Sequence, residues 1–166
     1  MSMKKVIFTD GSSRGNPGPG GWGAIVISPD KVRELGGKEA MTTNNRMELK
    51  GAIEALRVLD NTESIIVHSD SQYVIKGITE WIVGWQKKGW KNSQKKAVLN
   101  RDLWEELLAV SENKDIEWNY VAGHSEIAGN ERCDEIATQF ADGEKVKLYH
   151  GPKGKYPFTS ILKDVL

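Results

Sequence analysis

Two aspartates stand at the ends of apolar stretches, where their carboxylates could hold a metal ion. Asp10 closes the stretch 4–10, and Asp70 follows the stretch 64–69, whose centre at 65–67 is entirely apolar. The carboxyl ends of neighbouring strands form the ligand crevice of such sheets, so we expect the two carboxylates to lie side by side. Two adjacent carboxylates repel each other, and a divalent cation relieves this repulsion. The pair therefore indicates a metal site, whereas either acid alone is more typical of a solvated loop or a helix N-terminus.

Two further acids extend this pair to four candidate oxygen ligands. Glu48 falls in the first turns of a predicted helix, and Asp134 falls on the last predicted helix, where spacing does not separate it from Glu131 or Glu135. Hard oxygen ligands without thiolates or clustered histidines favour Mg²⁺, with Mn²⁺ as a substitute, over zinc. We therefore interpret all four acids as candidate ligands of a catalytic centre.

His124 lies in a predicted loop after the fifth strand and could transfer protons beside these carboxylates. The alternative is that it is an exposed loop histidine without a role. Cys133 is the single cysteine, which excludes an internal disulfide. A nucleophilic pair of Cys133 and His124 is disfavoured, because no third group orients it and Cys133 falls among the apolar positions of a helix.

Residues 81–101 form a basic segment on an otherwise acidic body. The chain has 23 cationic and 23 anionic side chains, but this segment contains six cations and no acid. Basic and aromatic residues together can grip a phosphate backbone and stack on sugars or bases, although a solvated helix with apolar anchors has the same composition. The candidate contacts here are Trp81, Trp85, Lys87, Lys88, Trp90, Lys95 and Lys96.

A glycine-rich stretch, 11–21, follows the first acid. Its G-x-G-x-x-G pattern at 18–23 does not indicate a dinucleotide site, because that motif opens a helix and here a strand continues. Two interpretations remain. The stretch is either a turn-forming loop with positive-φ positions, or its small residues let a nucleic-acid backbone approach closely.

Periodicity predicts the elements that must position these residues. Strands are expected at 4–10, 22–28, 31–40, 64–69 and 115–121, and helices from 44 to about 60, at 71–81, at 102–110 and after 129. An antiparallel meander followed by strand–helix alternation favours an α/β fold, a mixed sheet covered by helices.

The length of 166 residues suits one domain. We expect a cytoplasmic location without a membrane anchor, because no apolar run suits a membrane span or a signal peptide. We also expect a monomer.

Five collinear motifs over about residues 3–140 resemble bacterial type 1 ribonuclease H. They are TDGS at 9–12, GNPGPGG at 15–21, TTNNRMEL at 42–49, SDSQYV at 69–74, and GH at 123–124 followed by NERCDE at 130–135. The resemblance implies a ribonuclease H-like fold with a five-stranded mixed sheet, three antiparallel strands and then two parallel ones, flanked by helices. It implies one catalytic domain at 1–141 with a basic protrusion at about 81–101, and it leaves 142–166 as a C-terminal tail of uncertain order.

The resemblance also implies the activity, an endonuclease that hydrolyses the RNA strand of RNA–DNA hybrids and leaves 5′-phosphate and 3′-hydroxyl ends. Asp10, Glu48, Asp70 and Asp134 would hold two Mg²⁺ ions, and His124 would assist proton transfer or product release. Asn16, Asn44, Asn45 and Gln72 would line the minor groove, where 2′-hydroxyls mark the RNA strand. Thr43 and Asn100 match positions that hold a DNA-strand phosphate.

One departure concerns that phosphate position, where Met41 replaces an arginine found in many members. Either the DNA strand is held more weakly, or Arg46 compensates. We favour weaker binding, because Arg46 on the first helical turn could equally point to solvent. Two rival functions are a hybrid-binding module without catalysis and a DNA resolvase or integrase of the wider group. The complete set of acids disfavours the first, and the basic tryptophan segment disfavours the second.

Overall fold

A six-stranded mixed sheet forms the centre of the protein. The computed structural model describes residues 4–60, 64–123, 127–163 and 165. The strands are β1 (Lys5–Ser13), β2 (Gly18–Ile27), β3 (Lys31–Thr42), β4 (Ser64–Ser69), β5 (Asp115–Tyr120) and β6 (His150–Pro152). They lie in the order β5-β4-β1-β2-β3-β6. The pairs β1–β2, β2–β3 and β3–β6 are antiparallel, and β4 is parallel to both β1 and β5. The predicted mixed sheet is confirmed, but the prediction of five strands is wrong, because β6 pairs with β3.

Helices cover both faces of this sheet. They are α1 (Asn44–Arg57), α2 (Gln72–Lys76), α3 (Ile82–Lys87), α4 (Arg101–Ser111), α5 (Ala128–Ala141) and α6 (Thr159–Lys163). A π-helical turn, Gly77–Trp81, joins α2 to α3, so the helix predicted at 71–81 continues further than expected. No described helix is long and apolar enough to cross a membrane.

Alternate strand residues point into two separate cores. Ile7 and Val26 pack with α1 and α4 on one face, whereas Phe8 and Ile25 pack with Cys133 of α5 on the other. This alternation is the period-2 geometry of a strand that is buried on both faces. The site at the strand ends is therefore held from both sides by packed helices.

Most of the glycine-rich stretch belongs to the β1–β2 hairpin, and only residues 14–17 connect the two strands. A Cβ at Gly21 would lie 2.3 Å from the Ala137 carbonyl oxygen, and one at Gly23 would lie 2.6 Å from that of Cys133. These glycines therefore let α5 lie directly on β2. Both sequence interpretations missed this role. Only Gly15 in this stretch, with φ +105°, needs a positive-φ conformation.

The C-terminal segment (residues 144–163) belongs to the tail 142–166, whose order the sequence left uncertain, and it packs on the sheet. Its strand β6 pairs antiparallel with the start of β3, and a 3₁₀ turn (Lys153–Lys155) and α6 follow. Tyr156 and Ile161 are 2% and 1% exposed, in the same apolar cluster as Phe8 and Cys133. The segment therefore contributes to the core on the α5 face.

Candidate active site

The sheet register brings two of the predicted acids together. Thr9 on β1 and Ser69 on β4 are the last pair of their parallel ladder, so Asp10 and Asp70 follow side by side where this ladder ends. β4 ends there, whereas β1 continues to Ser13 beside β2. Glu48 reaches the same point from the start of α1. Carboxylate oxygens of Asp10, Glu48 and Asp70 lie within 4.8 Å of one another, close enough to share a cation.

Gly11 ties the first turns of α1 to the end of β1. Its backbone N–H donates to Asp10 Oδ1 and to Glu48 Oε1, both at 2.8 Å. A Cβ at Gly11 would lie 2.3 Å from the Glu48 nitrogen, so only glycine allows the helix to approach this closely. The helix starts here because the Thr43 side chain caps it by accepting from Arg46 N at 3.2 Å.

Burial and mutual repulsion make this cluster costly without a cation. Asp10 is 6% exposed, and burial, with the charge of Asp70 adding to it, raises its pKa to about 7. Burial also raises the pKa of Glu48 well above its usual value, with the charge of Asp10 adding to it, and burial raises that of Asp70. Glu48 Oε2 is buried without a hydrogen-bond partner. A divalent cation fits these residues, because it would pair with that oxygen and favour the ionised carboxylates.

The two remaining predicted catalytic residues are Asp134 and His124, and the structure describes only Asp134. Asp134 is exposed on α5 and does not belong to the cluster of mutually close oxygens, but its charge raises the pKa of both Asp10 and Asp70. His124 lies outside the described residues. The loop before it borders the cluster, since a Cβ at Gly123 would lie 3.9 Å from Asp70 Oδ2.

Several predicted substrate contacts surround the carboxylates. Asn44 N donates to Asn16 Oδ1 at 3.4 Å, which places both amides beside the β1–β2 turn. On the other side, Gln72 Nε2 donates to the Tyr120 hydroxyl at 3.4 Å. Tyr120 is 41% exposed, and sequence reasoning gave it no binding role. The sequence signal that could have identified Tyr120 is its position at the end of β5, the strand that pairs with β4.

Arg46 lies between Thr43 and Asn100, the two predicted phosphate contacts. Its guanidinium donates to Asn100 Oδ1 at 3.2 Å and to both carboxylate oxygens of Asp102 at 3.0 and 2.8 Å. Met41 is 69% exposed. The Arg46 side chain is directed at Asn100 and Asp102, and this direction supports the alternative in which Arg46 compensates for Met41.

Asn100 is held from its other side by Tyr73. The Asn100 amide donates to the Tyr73 hydroxyl at 3.0 Å, and Trp104 Nε1 donates to the same oxygen at 3.1 Å. The Asn100 backbone has φ +62°, which asparagine tolerates better than most residues. Asn45 and Asn100 both line a cavity of about 170 Å³ between α1 and the basic protrusion.

The basic protrusion (residues 81–101) is anchored by aromatic rings that contact one another at tilted and edge-on angles. The rings of Trp81 and Trp85 lie 5.8 Å apart and those of Trp85 and Trp90 lie 6.4 Å apart, and Trp85 also contacts the buried Trp104 at 5.4 Å. Trp85 therefore faces the core, whereas Trp81 is 39% exposed and can act as a platform. The predicted cationic contacts are all exposed, namely Lys87, Lys88, Lys95 and Lys96.

Comparisons with known proteins agree on one family. The family model described as RNase H matches residues 2–142. A ribonuclease H of Pelobacter propionicus is 56% identical over 133 residues, covering 80% of this chain and 82% of that protein. One of Syntrophotalea carbinolica is 56% identical over 138 residues, covering 82% and 91%.

Solved structures show the same fold. LC9-RNase H1, described as a type 1 RNase H with the type 2 active-site motif, matches with a TM-score of 0.79 at 28% identity, covering 96% of this chain and 80% of that one. LC11-RNase H1 in complex with RNA/DNA hybrid matches with a TM-score of 0.62 at 21% identity, covering 84% and 98%. The second likeness concerns the fold alone.

Proposed function

The chain belongs to the ribonuclease H family, and from this premise we propose that it is an endonuclease that hydrolyses the RNA strand of RNA–DNA hybrids. The observation that carries the proposal is the cluster of Asp10, Glu48 and Asp70, with oxygens within 4.8 Å of one another and one of them, Glu48 Oε2, buried without a partner. A protein that only bound hybrids would have no need of such a costly cluster.

In this proposal Asp10, Glu48, Asp70 and Asp134 hold two Mg²⁺ ions, and Mn²⁺ can replace them. The ions, when bound, supply an activated water and neutralise the charge on the leaving 3′-oxygen. The protein contributes the geometry, since Gly11 N–H orients both Asp10 and Glu48 before any ion arrives. His124 moves a proton at the leaving oxygen or aids product release. The products carry 5′-phosphate and 3′-hydroxyl ends.

Substrate selection in this proposal uses the residues on both sides of the cluster. Asn16, Asn44, Asn45 and Gln72 contact the minor groove and read the 2′-hydroxyls of the RNA strand. Thr43, Asn100 and Arg46 hold a phosphate of the DNA strand, with Arg46 as the charged donor. The exposed lysines and Trp81 of the protrusion hold the part of the duplex that adjoins this phosphate site. The hybrid bound by LC11-RNase H1 fits this assignment of the substrate.

One gel tests this function. We expect Mg²⁺-dependent cleavage of an RNA–DNA hybrid, little cleavage of duplex RNA or duplex DNA, and none with EDTA. Labelling both RNA ends tests the proposed product ends. Cleavage of duplex DNA at a similar rate would favour the resolvase-like alternative, and tight hybrid binding without cleavage would favour the binding module.

We also propose that the protein acts as a cytoplasmic monomer. Light scattering during size-exclusion chromatography tests the first part, and fractionation of cells that produce the protein tests the second. A stable dimer or a membrane-bound fraction would contradict these two points and leave the activity untouched.

A further inference from the structure

A buried carboxylate joins three parts of the molecule on the α5 face. Glu34 of β3 is 3% exposed and accepts four hydrogen bonds. Arg132 of α5 donates to it through Nε at 2.7 Å and Nη2 at 2.9 Å. The Tyr149 backbone N–H donates at 3.0 Å and the Tyr156 hydroxyl donates at 2.7 Å. Sheet, helix and C-terminal segment therefore meet at one side chain.

The C-terminal segment also encloses the partner of Glu34. The ring of Phe158 lies 4.5 Å from the Arg132 guanidinium, and the carbonyl of Lys147 accepts from Arg132 Nη2 at 3.3 Å. Arg132 Nη1 donates to Glu135 Oε1 at 2.6 Å. These contacts leave the arginine 8% exposed and fix the rotation of the first turns of α5.

The hydrogen-bond donors around Glu34 keep its buried carboxylate charged. Burial alone would raise the pKa of Glu34, but hydrogen bonds from Arg132 and Tyr156 outweigh it and lower the pKa. The carboxylate is therefore ionised and needs each of its donors. Buried ion pairs add little net stability compared with apolar side chains, but they tolerate few alternative geometries. Such a network suits a positioning role better than a stabilising one.

The network lies directly behind the candidate active site. Arg132 precedes Asp134 by two residues on α5, and Phe8 precedes Asp10 by two residues on β1. Phe8 and Cys133 share one apolar cluster with Tyr156, against which Ile127 and Ala128 also pack. A Cβ at Gly129 would lie 2.5 Å from the Phe8 ring, so α5 has almost no freedom to shift toward the sheet. The C-terminal segment packs in the same cluster and encloses Arg132 of α5 through Phe158 and the Lys147 carbonyl.

We propose that the C-terminal segment is a positioning element for the active site, in which Tyr156, through Glu34 and Arg132, fixes the first turns of α5 and thereby the Asp134 carboxylate relative to Asp10. The inference rests on the proposed function, since it takes Asp134 as a metal ligand. The segment lies beyond residue 142, where the match to the family model ends. Tyr156 touches no reacting group and acts only through its neighbours.

The chain offers a matched pair of variants for the test. Tyr156→Phe removes the hydroxyl that donates to Glu34, and Tyr149→Phe removes one that donates to the Pro152 carbonyl within the segment itself. Each keeps its ring and loses one hydrogen bond, so both should lower the melting temperature. Two further measurements separate positioning from stability. One is the rise in melting temperature that Mg²⁺ causes without substrate, and the other is the Mg²⁺ concentration for half-maximal cleavage at saturating hybrid.

We expect the Mg²⁺ concentration for half-maximal cleavage to rise roughly 3-fold or more in Tyr156→Phe, since residues that orient metal ligands typically affect metal affinity. Its Mg²⁺-induced rise in melting temperature should shrink, and its KM for hybrid at saturating Mg²⁺ should stay close to wild type. Tyr149→Phe should match wild type in Mg²⁺ requirement. Equal Mg²⁺ requirements for both variants and wild type would overturn the inference.

If Tyr156→Phe does not fold, Phe158→Leu replaces it, because it removes the ring from Arg132 and leaves every hydrogen bond to Glu34. The same Mg²⁺ shift is expected, and its absence counts against the inference. Failure of the proposed function would look different, since the wild-type protein itself would then not cleave hybrid in Mg²⁺.

Discussion

Replacing Asp10 by asparagine should abolish cleavage and yet stabilise the metal-free protein. The pKa of Asp10 is raised from 3.8 to about 7, so ionising it in the folded state costs about 4 kcal/mol more than in the unfolded chain. Below pH 4 both states bind the proton and there is no penalty. Between pH 4 and 7 the free energy of unfolding falls as pH rises, and above pH 7 the full penalty applies. The substitution Asp10→Asn removes this ionisation penalty, because an amide carries no charge at any of these pH values.

The expected gain is smaller than this penalty, because the new amide N–H groups need acceptors of their own in a buried site. We expect the variant to be more stable by about 1–4 kcal/mol at pH 8, or roughly 2–16 °C in melting temperature for a chain of this size. The difference should widen from pH 5 to 7 and then level off. Mg²⁺ should reduce the difference in stability between Asp10→Asn and wild type, because the ion stabilises wild type more than a variant that has lost a ligand.

Thermal melts in EDTA at pH 5, 6, 7 and 8, repeated in Mg²⁺, provide the measurement. Asp142→Asn is the control, because Asp142 is exposed and Arg14 lowers its pKa through a salt bridge. That variant should show no gain and no change with pH over this range. A difference between Asp10→Asn and wild type that does not vary with pH would refute the reasoning. Substantial cleavage by a folded Asp10→Asn protein would refute the metal assignment.

Three further predictions concern turnover and binding. His124→Ala should slow turnover by roughly 10²-fold or less, as for a general acid–base group; an unchanged kcat would remove it from the mechanism, and complete loss with normal folding would make it a ligand. Changing Lys87, Lys88, Lys95 and Lys96 to Ala should raise KM strongly and flatten its salt dependence, with a much smaller effect on kcat. If neither KM nor its salt slope changes, the protrusion is only a solvated surface. Arg46→Ala should raise KM by roughly 10-fold at low salt, whereas Met41→Arg should lower it only slightly, because Arg46 already supplies a charged donor. The opposite ranking would mean that Asp102 keeps Arg46 away from the phosphate.

Local patterns in the sequence were enough to predict five of the six strands and the carboxylates Asp10, Glu48 and Asp70. Asp10 and Asp70 could be placed side by side because each follows an apolar stretch that was predicted to be a strand, and the register of Thr9 with Ser69 agrees with this placement. The predicted end of the first strand at Asp10 is wrong, because β1 continues to Ser13. Helix periodicity and the cap at Thr43 brought Glu48 to the same edge. These inferences need only information within a few residues.

Features that depend on distant residues could not be predicted. Glu34 looks like a surface residue of β3, and its partner Arg132 lies 98 positions away. The direction of Arg46 is set by Asp102, 56 positions away. Gly11 of β1 lies directly against α1, and Gly21 and Gly23 of β2 lie directly against α5, whereas glycine in the sequence alone favours a turn. In each case a tertiary contact decided what the local sequence left open.

The sixth strand has a consequence for how the chain can be shortened. Without β6, the start of β3 would present unpaired N–H and C=O groups over Lys31–Arg33, and an open strand edge is a template for pairing with another molecule. Glu34 would also lose two of its donors and the cover over its ion pair. A version trimmed to the family-matched residues 2–142 would therefore tend to self-associate and aggregate on storage or at high concentration. The natural chain limits this hazard with three residues of β6, which protect that edge and are too few to recruit a further strand.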